Sequence, residues 1–127
     1  MTALERAEKA IARDSSNGRA FSFGVTALAV LGQRERAREW IDRALLLDPD
    51  NMLMRYNFAC ALSAHLNDVD GALDLLNSTL GSGYGRQTLL SMRADPDLDP
   101  IRDDPRFQAM MAEAEARLAK VKPGQPA

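Results

Sequence analysis

Apolar residues return every three or four positions through most of this 127-residue chain, and nowhere do they alternate with period two over a useful length. The pattern predicts helices and no strand. Leu4, Ala7, Ala10 and Ile11 mark a helix over 3–13, and Asp14-Ser15-Ser16-Asn17-Gly18 follows as a turn that also offers an N-cap. A second helix runs from about 19 to 31 with Phe21, Gly24, Val25 and Leu28 on one face, until Gly32-Gln33 breaks it. A third, 34–47, turns Ala37, Trp40, Ile41, Ala44 and Leu45 inward and ends at Asp48-Pro49, because proline disfavours helical geometry in the residue before it. Helices over 52–66 (Phe58, Ala59, Leu62) and 69–80 (Ala72, Leu73, Leu76) follow. Beyond the glycine-rich stretch Gly81–Gly85, read as a hinge, the pattern predicts a short helix near 87–92 and a turn-rich connector over 93–102 pinned by Leu98 and Ile101. The last helix opens at Asp104-Pro105 and carries Phe107, Met110, Met111, Ala114 and Leu118 as one stripe. Residues 120–127 lack periodicity and read as a disordered tail.

Two stretches match each other at an offset of 34 residues: Ala3, Ala10, Asp14 and Asn17 recur as Ala37, Ala44, Asp48 and Asn51. A further small residue, Ala72, comes one position late, after a loop one residue longer. A period near ~34 with small residues inside helices is a signature of stacked helix-turn-helix repeats, in which neighbouring units bury each other's apolar faces.

These residues resemble the tetratricopeptide repeat. In the most regular copy, residues 18–49, Phe21 stands at the early aromatic place, Gly24, Ala37 and Ala44 at the small places, and Pro49 at the closing proline. A second copy, 52–84, keeps Ala59 and Ala72 but has Arg55 for the aromatic and lacks the proline. The resemblance implies an all-α helix-turn-helix solenoid forming one domain over 1–119: a half repeat 1–17, repeats 18–51 and 52–84, and an irregular cap 85–119. The segment that begins with Tyr56-Asn57-Phe58-Ala59-Cys60 and continues through the glycine-rich break to the run from Asp95 to Phe107 is similar to the tail of certain bacterial signalling proteins. In those, a tetratricopeptide region follows a nucleotide-cyclase or winged-helix DNA-binding domain. That second resemblance implies a regulatory or dimerisation segment of a larger chain.

Charge and cysteine usage narrow the picture. Sixteen basic against eighteen acidic residues leave a net charge of −2, without the basic excess of a nucleic-acid binder. Arg34, Arg36, Arg38 and Arg43 are close together, but on a helix they spread over a solvated face. The charged N-terminus lacks the apolar run of a signal peptide, and no apolar stretch approaches the roughly 20 residues that span a bilayer. The chain therefore reads as cytoplasmic, with no membrane partner, unless it is cut from a larger protein with its own anchor. The single Cys60 excludes an intramolecular disulfide.

No arrangement of residues predicts an enzyme, a cofactor or a metal site. Asp95, Asp97 and Asp99 alternate as in a calcium loop, but Pro100 and Arg106 stand where glycine and a bidentate glutamate are needed, so these aspartates read as turn and helix caps. His65 has no second histidine to pair with. Cys60, one turn from His65 without a third orienting group, reads as a packing residue. The segment Gly81–Gly85 lacks the lysine and hydroxyl of a phosphate loop.

What remains is a groove for a protein or peptide partner. Counting away from the buried stripes places Arg19, Ser22, Thr26 and Ala29 on the concave side from one unit, and Leu53, Tyr56, Asn57, Cys60 and Ser63 from the next. The carboxylate-gripping members of the family carry lysine and asparagine where this chain has Ser22 and Thr26, and only Asn57 matches. The mixed surface around Tyr56 suits a helix or extended segment better, unless the groove is filled by the chain itself. Part of the stripe Leu4, Ala7, Ile11 is expected to pack on the helix over 19–31, but its other flank lacks a preceding helix to cover it, which predicts either excision from a longer protein or a homodimer meeting through the N-terminal half repeat.

Overall fold

The computed structural model describes residues 2–15, 17–80 and 86–120, with side chains outside 78–80 and 86–88. Within them the chain forms helices α1 (Ala3–Arg13), α2 (Gly18–Val30), α3 (Arg34–Leu47), α4 (Met52–Leu66), α5 (Val69–Leu80), α6 (Arg86–Ala94) and α7 (Pro105–Ala119), with a 3-10 helix, Pro96–Ile101, between the last two. The described residues contain no strand, so the all-α expectation holds. The short helix predicted near 87–92 is longer by a turn, and the connector predicted over 93–102 winds into the 3-10 helix. The hinge reading of Gly81–Gly85 and, beyond Lys120 at the C-cap of α7, the tail read over 120–127 lie outside the described residues.

The repeated Asp…Asn pair builds the same turn twice. Asp14 and Asp48 end their helices with the backbone N–H donating to the carbonyls of Ala10 and Ala44. Three residues on, Asn17 and Asn51 start the next helices, each side-chain oxygen accepting from the amide of Ala20 or Met54 at 3.1 Å. The other turns use left-handed residues. Gly32 (φ 75°) closes α2, and Asn67 (φ 50°) closes α4 while the Asp68 amide reaches back to the Leu62 carbonyl at 2.9 Å. Asp68, only 7 % exposed, then starts α5 by accepting from the Gly71 amide and pairing with the Arg38 guanidinium.

α4 is the central helix. It packs on α2, on α5 and on the 3-10 helix, and its buried residues (Met54, Phe58 to Ser63, Leu66) lie all around its circumference, the pattern of a helix enclosed by neighbours. α2 packs on α1, α3 and α4. Against α3 its approach is close because Gly24 has no side chain: a Cβ there would lie 2.0 Å from Cζ3 of Trp40. Phe21 meets the same indole edge-on, with ring centroids 5.9 Å apart. α7 packs on α5 and α6, with the pairs Arg106–Asp70 and Arg93–Glu115 at its rim.

The stripe of α1 packs on α2 as expected, and it leaves less of itself exposed than expected. Ala7 and Ile11 are 4 % and 7 % exposed, because α1 lies directly along α2 and uses it as cover. Leu4 packs partly against the same core. The open side of α1 is instead an alanine-lined cleft facing Phe23. Among the described residues no helix is long and apolar enough to cross a membrane.

Candidate functional site

α2 and α4 run side by side, and the residues that neither buries against its other neighbours border a groove of about 320 Å³. Ser22, Phe23 and Thr26 line it from α2, Tyr56, Asn57, Cys60, Ala61 and His65 from α4, and Asp95 and Asp97 from the start of the 3-10 helix. Helical spacing explains the sets: 22 and 26, and 56, 57, 60 and 61, each share a face one turn apart.

Of the residues predicted for the groove, Ser22, Thr26, Tyr56, Asn57 and Cys60 come together there. Arg19 lines the α1–α2 cleft instead, and Leu53, 69 % exposed, stands clear of the groove. Ala29 and Ser63 are enclosed, at 0 % and 1 % exposure. Both were assigned by counting along an isolated helix, and both lie where α2 or α4 meets a neighbour that the count did not include. Among the described residues the Ser63 hydroxyl has no hydrogen-bond partner.

The groove floor is a hydrogen-bonded cluster that joins distant parts of the chain. The Tyr56 hydroxyl donates to Asp95 Oδ2 at 2.5 Å, and the Cys60 thiol faces the same oxygen at 3.7 Å. Asp95 Oδ1 accepts from the Asp97 amide at 3.0 Å and so caps the 3-10 helix. Burial raises the Tyr56 hydroxyl well above the usual phenol range, and the bond to Asp95 adds to it. Burial likewise pushes the Cys60 thiol up to about 12, helped by the negative charges of Asp95 and Asp97. Raising a thiol's pKa removes the thiolate, the reverse of what a nucleophilic cysteine needs.

Cys60, Asp95 and Asp97 offer three potential ligand atoms within 4.8 Å of one another. Both Asp95 oxygens already accept hydrogen bonds, and the thiol is held protonated, so the cluster acts first as a clasp between α4 and the 3-10 helix. Arg102 holds that helix from its other end. Its guanidinium donates to the carbonyls of Met92 (3.3 Å), Arg93 and Asp95 (2.7 Å) and to Asp99 Oδ1 (3.0 Å). Sequence reasoning missed both Asp95 as a groove residue and Arg102 as a staple. The signal for Asp95 was its cap spacing before Pro96, which says that the carboxylate binds an amide but not which helix it faces.

Comparison with protein-family models, with curated proteins and with solved structures found no match to this chain.

Proposed function

We propose that this chain is a non-catalytic interaction module of tetratricopeptide type, working in the cytoplasm and holding a peptide or helical segment of a protein partner in the groove between α2 and α4. The observation that carries the reading is the groove wall. Ser22, Thr26 and Asn57 offer hydrogen-bonding groups beside the exposed ring of Phe23, the mixture that recognises a segment of chain. Its one thiol is held in the unreactive form. The duplicated Asp14/Asn17 and Asp48/Asn51 turns support the repeat assignment.

One observation favours a second reading, a regulatory segment of a larger bacterial signalling protein. The 3-10 helix already occupies part of the α4 face through the Tyr56–Asp95 clasp, so the chain uses some of this surface for itself.

A photo-crosslinking amino acid at Thr26, on the groove, tests the first reading against the same group at Glu39, exposed on α3. The module reading expects a discrete protein adduct at Thr26 that Asn57→Arg suppresses, and none at Glu39. Equal capture at both positions would refute it.

A further inference from the structure

Phe23 is the one phenylalanine on the surface: it is 62 % exposed, whereas Phe21, Phe58 and Phe107 are buried. It forms a ridge between two depressions, because it borders both the α2–α4 groove and the α1–α2 cleft of about 480 Å³. Two turns along α2, Val30 is equally exposed. The charges that line these depressions are segregated. The cleft side carries Arg6 and Arg19 with alanines between them, and the groove side carries Asp95 and Asp97. Among the described residues, Arg6, Arg19 and Asp97 enter no ion pair.

An apolar ridge with positive charge on one flank and negative charge on the other is complementary to itself after a half-turn. In a two-fold contact each element meets its counterpart across the axis, so a charge at one end faces the charge at the opposite end of the partner. We propose that a second copy of this chain docks on this face, with Phe23 against Phe23 near the axis and Arg6 and Arg19 of each copy facing Asp97 of the other. The contact closes on itself, which makes a dimer and not a filament. Opposite charges set the register, and the ridge supplies the buried apolar area. The inference rests on this face being a binding surface, as proposed above, and goes further by naming the occupant.

Sedimentation of the full chain from micromolar to millimolar concentration tests it. The expected result is a monomer–dimer equilibrium that Phe23→Asp abolishes with the helical circular dichroism unchanged. Arg19→Glu alone and Asp97→Lys alone each juxtapose like charges twice, so each should weaken the dimer at least about tenfold. An equimolar mixture of the two variants pairs opposite charges at both contacts and should regain the wild-type association. A wild-type chain that stays monomeric throughout overturns the proposal, as does a dimer indifferent to Phe23→Asp or a mixture no tighter than its components. Crosslinking of a different protein at Thr26 by a monomeric chain would leave the interaction reading standing while the dimer falls.

Discussion

Tyr56 donates its hydroxyl to the Asp95 carboxylate at 2.5 Å across 39 residues of sequence. The bond fastens the 3-10 helix to the central helix and places two carboxylates on the groove edge. Tyr56 thus serves the fold as well as the groove. Removing only its hydroxyl, Tyr56→Phe, should destabilise the protein by about 1.5 kcal/mol, the lower range for a bond to a charged group because the ring is half-buried. Urea unfolding with an unchanged slope checks this, and Asp95→Asn should couple to it in a double-mutant cycle.

Stability should fall as the solution becomes alkaline. The Cys60 thiol titrates near 12 in the folded chain against an ordinary 9.0, so between those values the unfolded state releases a proton that the folded state keeps. The stabilisation is complete below pH ~9 and is lost progressively toward pH ~12. Tyr56 shifts in the same direction. Denaturant midpoints at pH 7, 9 and 10.5 should decline, and Cys60→Ala should flatten part of the decline. At pH 8 native alkylation of Cys60 should be on the order of 1000-fold slower than in urea.

Gly24→Ala should cost about 1–3 kcal/mol, since the added methyl meets the Trp40 ring and the helix axes must separate. In a Trp40→Leu background the same change should cost clearly less. Additive effects would mean that the clash is not the cause.

Ser63→Ala should leave stability unchanged or raise it by about 1 kcal/mol. It removes a buried hydroxyl that has no hydrogen-bond partner among the described residues, without opening a large cavity. A thermal melt that drops by several degrees would show that the hydroxyl does find a partner.

Arg102→Lys keeps the charge but loses the planar fork that spans three carbonyls and a carboxylate. Amide exchange should accelerate in α6 and the 3-10 helix, with α2 and α3 unaffected.

The helices and their ends were readable locally. The 3.6-residue stripe, the asparagine or aspartate caps of α2, α4, α5 and α7 and proline after Asp104 depend only on neighbours within a turn, so α1 to α5 and α7 appear within about a residue of their predicted bounds. The groove was half legible. Helical spacing found Ser22, Thr26, Tyr56, Asn57 and Cys60, but it misplaced Ser63 and Ala29, since burial depends on which neighbour covers a face.

What the chain's own order of residues determined is therefore the set of helices, their amphipathic faces and the duplicated turn, all consequences of backbone geometry and short-range hydrogen bonds. Only the tertiary structure decided that Asp95 meets Tyr56 and Cys60, and that arginines and aspartates flank Phe23 on opposite sides. Those relationships join residues 35 or more apart or on separate helices, and they arise from how apolar faces exclude water together, a property that no single helix carries.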